Sequence, residues 1–527
     1  MASIPPSVRS VALLWLAVLI LLLAPIAVTP YLPLLDAPSH QARLAVLRNL
    51  LLNDNGSSFY RLDTLFLPNM AFDFTGLLLT WWFSPAMTGR IFFAATLLLT
   101  VSGIVVLNRV AMGRWSVLPL AAALLLYNLF TVLGFFSYGM GVALVFWALA
   151  ARLSLMEQSV ATRLAVGSLF GIVLLICHVS AFGIYAIMLA GIGISMLLPQ
   201  EMSMSSAIRN VRRTLPRAIT MALELVPACV LFALMSTGGQ GRARYDMPYW
   251  HHKIFKAIKA VTSGSITGDL AFLAGIVALG LLLVGWGRTR LSRTLTPGLV
   301  LLCVVYLLIP SKLSGGSYVD SRLPVVIALL ALAACRFDPH HSQLGRVWPK
   351  RIVIAAFCAA LVLKQGALTA LWHEEGQTLT RMANALNSLP SGAVILQAEC
   401  QPEDTDIRGL YQSRQPPLSH VAALGAADGT RFAAVSWTIK GQQPIETVAA
   451  YQPYKLFQGG LSAETCSPAQ VQAAADEARR VRNEKTMASG VADPVFLLLL
   501  RPRVSGMLAG STALVAQMAE FELYRLD

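Results

Sequence analysis

The chain has 527 residues, of which 56% are hydrophobic and only 13% charged, against about 25% charged in an average soluble domain; an ordinary soluble protein is excluded. Its 41 Lys+Arg outnumber 27 Asp+Glu to give +14. In so apolar a chain such a surplus reports cytoplasmic loops rather than nucleic-acid binding, and no RNA or DNA module is present.

Apolar stretches long enough to cross a hydrocarbon core recur from Val11 to Leu371, which predicts a polytopic membrane protein. The first, Val11 to Val28, is longer than a usual signal-peptide core and has no small-x-small cleavage site behind it, so it reads as a retained span. The densest basic clusters are Arg209, Arg212, Arg213 and Arg217, then Arg288, Arg290 and Arg293, then Arg336, Arg346, Lys350 and Arg351. The positive-inside rule puts all three in the cytoplasm. Alternation then makes Gly238 to Gly268, Ser311 to Ser321, the Gly134 to Gly139 turn and the region of Cys177 and His178 external.

The apolar run Met70 to Phe83 breaks this parity if it crosses. It is short, carries Asp73 and ends near Trp81 and Trp82, as a helix lying in the interface would. Ser39 to Asn53 sets leucines 44, 47, 50 and 51 against Arg43, Arg48 and Asn49, which is also amphipathic. The expected fold is therefore mostly α, a helical bundle of about eleven spans. Its first external loop, 31–86, would carry two surface helices.

After Leu371 the composition changes to scattered charge, turn residues and short strand-like runs. The chain divides into a transmembrane domain, 1–371, and a soluble external α/β domain, 372–527. In the latter, strands are expected at Ala393 to Gln397, Arg431 to Trp437, Val495 to Leu500 and Glu520 to Leu526, with helices at Thr378 to Leu389 and Pro468 to Glu484. No nucleophile triad, phosphate loop or metal box is visible there; Asp404, Asp406, His420 and His373 fall in separate loops. Trp437, Tyr451 and Tyr454 could meet a sugar polymer. Of seven cysteines, five lie in apolar spans as small core residues, and Cys400 and Cys466 could pair if their domain meets an oxidising compartment.

Immediately after the first span stands Asp36-Ala37-Pro38-Ser39-His40-Gln41-Ala42-Arg43. Pro38 suits a first helical turn, so Asp36 starts the helix while His40 and Arg43 follow one and two turns on along the same side. A carboxylate at the membrane boundary is costly and often functional, but it also simply favours the positive end of a helix dipole.

With this loop the sequence resembles the GT-C superfamily of integral-membrane glycosyltransferases. Its members carry an acidic residue near the start of a large first external loop with two surface helices, then many spans and often an external soluble tail. Leu67 to Asp73 (LPNMAFD), Gly134 to Gly139 (GFFSYG), Cys177-His178 and Tyr318 to Arg322 (YVDSR) look like a bacterial branch of such proteins. No sequon-recognition motif of the oligosaccharyltransferase kind is found. The resemblance implies an inverting transfer from a polyprenyl-phosphate sugar to a glycan, lipid or protein acceptor at the outer face of the bacterial inner membrane. The charge-derived topology puts the N-terminus in the cytoplasm and the C-terminal domain outside, in the periplasm, and the resemblance makes Asp36 the catalytic base.

Such chemistry also needs cations to offset charge on the departing phosphate. Arg242, Arg244, His251 and Lys253 in the external loop 238–268, then Lys312 and Arg322 beside Asp320, are the candidates, together with His40, Arg43, Asp73 and His178 near the first loop. Nonspecific attraction to anionic membrane lipids explains the same basic residues, and Asp320 with Arg322 could be a structural ion pair. Four histidines on the external side leave room for a divalent metal beside Asp36 or Asp73, but no zinc-type spacing supports one and no cofactor is indicated. A transporter or flippase, or a noncatalytic envelope assembly protein, would share the layout; the chain lacks the internal repeat that many transporters show.

Overall fold

The computed structural model describes residues 8–52, 57–197, 204–235, 243–285, 287–313, 316–339, 350–400, 418–436, 438, 441–457, 461–463, 467–490, 492–501, 508 and 513–526. Arg242, Asp404, Asp406, Trp437 and Cys466 lie outside them, and with Cys466 the expected pairing to Cys400.

The chain opens with α1 (Val8–Ala27), α2 (Ala37–Leu52), β1 (Tyr60–Leu62), α3 (Ala71–Leu79) and α4 (Pro85–Met112). Two four-residue helices, α5 (Ala123–Leu126) and α6 (Leu129–Val132), follow a 3-10 turn at Leu118–Ala122. Then come α7 (Phe136–Ser154), α8 (Val160–Cys177), α9 (Val179–Leu197), α10 (Met204–Leu223), α11 (Val226–Leu234), α12 (Tyr249–Ala260) and α13 (Ile266–Gly285). The bundle ends with β2 (Gly287–Leu291), α14 (Thr296–Leu308), α15 (Leu323–Ala334), β3 (Cys335–Pro339) and α16 (Lys350–Asn387).

The protein is a mostly helical, multi-pass membrane protein. Among the described residues, eight helical segments are long and apolar enough to cross a bilayer: α1, α4, α7, α8, α9, the continuous stretch Thr214–Leu234, α13 and α16. Three of the expected crossings are not long helices. α14 and α15 are 13 and 12 residues, and the stretch from Leu118 to Val132 is broken. The break exposes carbonyls that a helix would have used internally. Lys364 of α16, fully buried, donates to two of them, Leu124 O at 2.6 Å and Tyr127 O at 3.2 Å, which makes irregular backbone tolerable at that depth.

Helix α4 starts sharply because Ser84 accepts from Met87 N and Pro85 fills the first turn; Gly113, at φ 76°, stops it. It lies parallel to α7: Phe92 meets Phe136 at 6.0 Å near both N-termini, and Trp147 Nε1 donates to Leu99 O at 3.0 Å further down. α15 runs the same way, with Tyr138 donating to Arg322 O at one end and Asn108 Nδ2 to Cys335 O at the other. The N-termini of α4, α7 and α15 therefore share one end of the bundle. At the opposite end β2 and β3 pair as an antiparallel ribbon that sets Arg290 against Arg336.

α16 runs without interruption through residue 371 into the C-terminal region. There β4 (Val394–Cys400), β5 (Phe432–Ala433), β6 (Ile445–Thr447), β7 (Leu461–Ala463), α17 (Pro468–Ser489), β8 (Val495–Leu500), β9 (Ala513–Met518) and β10 (Phe521–Arg525) follow. The sheet order is β5-β4-β8-β10-β9, with β7 also on β4; β4 is parallel to β5, β7 and β8, and β10 is antiparallel to its neighbours. A Ser467–Gln470 capping box starts α17. Among the described residues the strand expected from Arg431 to Trp437 is realised only as the two residues of β5.

The two faces of this sheet are closed by residues from the first loop. Val46, Leu47, Phe59 and Tyr60 share a core with Val394, Leu396, Phe432 and Tyr454, and Ala42 packs with Leu386, Ile395 and Ala423. β1 pairs antiparallel with β6. α2 is therefore not a one-sided surface helix: Leu44 enters the bundle core while Ala42 and Leu47 enter the sheet cores. Leucines spread around the helix serve two packing partners rather than one lipid face. α3 behaves differently, exposing Phe74 and Leu78, with Trp81, Trp82 and Phe83 exposed just beyond it, as a helix seated in the interface would.

Candidate active site

Asp36 stands at the turn into α2, against the loop between α6 and α7. Leu35 N donates to Val132 O at 3.0 Å and Asp36 N to Leu133 O at 3.2 Å. The next residue, Gly134, has φ 75°, and a Cβ there would sit 3.2 Å from Asp36 N. Only glycine meets both demands at no cost. Asp36 is 8% exposed, and its Oδ1 is buried without a hydrogen bond. Burial raises its pKa from 3.8 to about 7, with the Arg43 charge opposing. His420 Nε2, from the C-terminal region, lies 3.5 Å from Oδ1.

Arg43 forms a buried two-point pair with Asp73, Nε to Oδ1 at 2.7 Å and Nη2 to Oδ2 at 3.0 Å. Asp73 thus ties α3 to α2 and spends both oxygens on one guanidinium. Arg43 Nη2 also lies 2.8 Å from His40 Nδ1. A guanidinium only donates, so Nδ1 is the acceptor and His40 is the neutral Nε2–H tautomer. Burial first, then the Arg43 and His420 charges, holds this imidazole well below its ordinary pKa, while the Gly134 backbone bonds the ring. The ring stacks on Phe136 at 5.2 Å and meets Phe72 edge-on at 5.4 Å. Both ring nitrogens of His40 are engaged, and each Asp73 oxygen gives one lone pair to Arg43. Among the described residues no group of three His, Cys, Asp or Glu could hold one.

On the other side of the same loop lies Arg322. Its guanidinium sits over Phe135 at 5.1 Å and Tyr138 at 5.4 Å. Nη1 donates to Ser180 Oγ at 3.1 Å and Nη2 to Ser317 O at 3.2 Å, whereas Nε is buried without a partner. His178 Nε2 lies 3.2 Å from Nη1. His178 Nδ1 already accepts from Ser180 N at 3.0 Å. Burial, then the Arg322 charge, keeps the imidazole uncharged, so its one proton is on Nε2. Arg322 Nη1 and His178 Nε2 therefore face each other as two donors, beside the orphaned Arg322 Nε. Among the described residues no carboxylate pairs with Arg322. A negatively charged oxygen would satisfy these donors together.

Phe135 and Tyr138 also line a pocket between α4, α6, α7 and α15, whose walls include Phe93, Leu97, Val142 and Leu329 with only a few polar groups such as Thr96 and Asn128. Gly134, which backs Asp36, is part of its lining. Asp36, His178 and Arg322 are not among its lining residues; the loop joins them to it, Gly134 backing the Asp36 backbone and Phe135 and Tyr138 lying under the Arg322 guanidinium.

The remaining candidates are placed elsewhere or used otherwise. Lys253, 4% exposed, is spent on Asp320 Oδ2 at 3.0 Å and Ile309 O at 2.6 Å. Lys256 joins Asp320 and Asp246, so Asp320 pairs with these lysines and not with Arg322. Arg244 and Lys312 are exposed and meet through a backbone bridge. His251 is exposed on α12, beside Phe255.

His420 was not legible as a site residue. It precedes the 3-10 turn Val421–Ala426, whose Ala422, Ala423 and Ala426 are fully buried and let that turn lie close against α2. Buried Gln397 of β4 fixes its backbone: Nε2 donates to Leu418 O and Ser419 O at 3.0 and 2.9 Å, and Oε1 accepts from Ala422 N at 3.0 Å. The one signal was a run of small residues beside a histidine, which has no meaning until its partner helix is known.

No family model matches the chain, and no curated protein matches it. Among solved structures the chain is similar to ArnT from Cupriavidus metallidurans in the apo state, with 12% identity over 98% of each chain and a TM-score of 0.49. It is similar to the same protein bound to undecaprenyl phosphate, with 13% identity over 99% of each chain and a TM-score of 0.47. It is also similar to the arabinofuranosyltransferase AftD from Mycobacteria, with 15% identity over 100% of this chain and 40% of that one and a TM-score of 0.40.

Proposed function

We propose that this protein is a membrane glycosyltransferase that moves a sugar from a polyprenyl-phosphate donor to an acceptor hydroxyl. One observation carries the reading: a buried carboxyl, Asp36, and the N–H donors of Arg322 and His178, with Arg322 Nε unpartnered, flank one loop whose Gly134, Phe135 and Tyr138 also line an apolar pocket. The three parts match the needs of such a transfer. The cavity takes the first isoprene units, the donors take phosphate oxygens, and Asp36 meets the hydroxyl that attacks the sugar.

In the reaction Asp36, ionised, removes the hydroxyl proton as the acceptor oxygen bonds to the anomeric carbon. The bond from that carbon to the phosphate oxygen breaks, and its electron pair leaves with the phosphate, where Arg322 and His178 Nε2–H offset the growing charge. Attack from the face opposite the phosphate inverts the anomeric centre. A base with a pKa near 7 is matched to neutral pH, being available as carboxylate yet strong enough to hold the proton it takes. The orientation follows from charge: the ribbon bearing Arg290 and Arg336 occupies the opposite end of the bundle, which favours the cytoplasm there and the outer face of the bacterial inner membrane for the site. The C-terminal domain is then periplasmic, and the acceptor is a glycan, lipid or protein on that side.

The test is transfer by purified protein in proteoliposomes, using synthetic polyprenyl-phosphate pentoses and hexoses labelled in the sugar. Asp36→Asn is expected to reduce transfer by roughly a hundredfold or more, the scale for a positioned general base, with a thermal transition no lower than that of wild type. Equal transfer by wild type and Asp36→Asn would remove the base and with it the reading.

A further inference from the structure

The proposed chemistry assigns nothing to the C-terminal domain, yet that domain puts an imidazole against the carboxyl. His420 Nε2 is 3.5 Å from Asp36 Oδ1, the buried oxygen without a hydrogen bond. The ring's other nitrogen, Nδ1, lies 3.3 Å from Val435 O. A carbonyl only accepts, so Nδ1 carries the proton and the neutral ring turns an electron pair on Nε2 toward Asp36. An ionised Asp36 would then present a second acceptor to the first, in a buried site. One proton between the two atoms removes the conflict.

We infer that His420 is a positioning residue for Asp36: its Nε2 accepts the proton of the neutral carboxyl, fixes the rotation of that carboxyl, and by facing the ionised form with an electron pair makes it a stronger base. The inference rests on the proposed role of Asp36. The groups around the carboxyl are consistent with it. From α2 come Arg43, which favours the ionised form but is largely compensated by Asp73 of α3, and neutral His40. The loop 133–135 contributes only Leu133, Gly134 and Phe135. His420 is thus the one titratable group brought by the C-terminal region in a position to act on Oδ1 among the described residues. Its ring has little freedom, since Gln397 binds the backbone on both sides of it. Burial lowers the imidazole pKa to about 4, so at neutral pH the ring stays an acceptor and the shared proton belongs to Asp36.

The proton balance in one turnover is simple. The acceptor hydroxyl gives its proton to the Asp36 carboxylate, the neutral carboxyl turns that proton to His420 Nε2, and release of the proton to water restores the carboxylate.

The experiment is an infrared titration of the full-length protein in nanodiscs from pH 4 to 9, with Asp36→Asn subtracted to isolate the carboxyl C=O band of Asp36. In wild type the band should fade with a midpoint near pH 7. His420→Gln sets an amide N–H donor where Nε2 was; it should favour the ionised form and move the midpoint down by about one pH unit. His420→Leu, which only removes the acceptor, should move it less in the same direction. A midpoint unchanged in whichever of these variants keeps the wild-type thermal transition overturns the inference. The two claims fail separately: an active Asp36→Asn protein defeats the proposed reaction, whereas an inactive Asp36→Asn protein with an unmoved His420→Gln midpoint defeats only the role of His420.

Discussion

Asp36 is held dry, and the cost of that is measurable. Its pKa in the folded protein is about 7 against an ordinary 3.8. Between those values the folded protein keeps a proton that the unfolded chain has released, so stability falls as pH rises through that window and stays lower above it. At about 1.4 kcal/mol per pH unit the loss reaches at most about 4 kcal/mol. Asp36→Asn has no charge to desolvate. It should unfold at a higher temperature than wild type, by a margin that grows from pH 5 to pH 8; thermal melts at the two pH values check this, and a margin independent of pH would contradict it. Asp36 itself was legible in sequence because a carboxylate beside a span is costly wherever it falls. His420 was not, since its meaning comes from a contact to α2 made across nearly four hundred residues of chain. The donor set of Arg322 and His178 was half legible: both residues were candidates, but the opposition of their N–H groups depends on Ser180 N reaching His178 Nδ1.

At the scale of elements, α2 is aimed by three contacts: the loop ahead of α7 that binds its first turn, the Arg43–Asp73 pair to α3, and the alanine-rich turn after His420. The ion pair is 5% and 1% exposed, so removing one partner strands a buried charge. Asp73→Ala should destabilise the protein by about 3–5 kcal/mol, whereas the double replacement Arg43→Met with Asp73→Leu should cost much less. Denaturation of the two variants in one detergent tests the difference; equal losses would mean that the pair aims nothing. The helical periodicity of the sequence located the long apolar helices well. It misjudged α2, because a helix clasped between a bundle and a sheet shows the same spread of leucines as a helix floating in an interface. The break from Leu118 to Val132 was hidden for a related reason: its sequence is as apolar as a span, and the lysine that satisfies its carbonyls lies some 240 positions later.

Over the whole molecule, the composition changes after Leu371, but the packing does not divide there. α16 continues through it, and the sheet is closed by Ala42, Val46, Leu47, Phe59 and Tyr60 from the first loop. The C-terminal region and the loop that carries Asp36 are one packed body, which gives the region a part in the site that composition alone assigns only to the bundle. What unites the account is that a lipid phosphate should seat on Arg322 and His178 with its tail in the apolar cavity and Asp36 across the loop. The most direct measurement is a cryo-EM structure of the full-length protein with undecaprenyl phosphate. The account predicts phosphate oxygens within about 3 Å of Arg322 and of His178 Nε2, and isoprene density between α4, α7 and α15. Phosphate bound at the Arg290–Arg336 ribbon instead, with an empty cavity and Arg322 contacts unchanged, would contradict it.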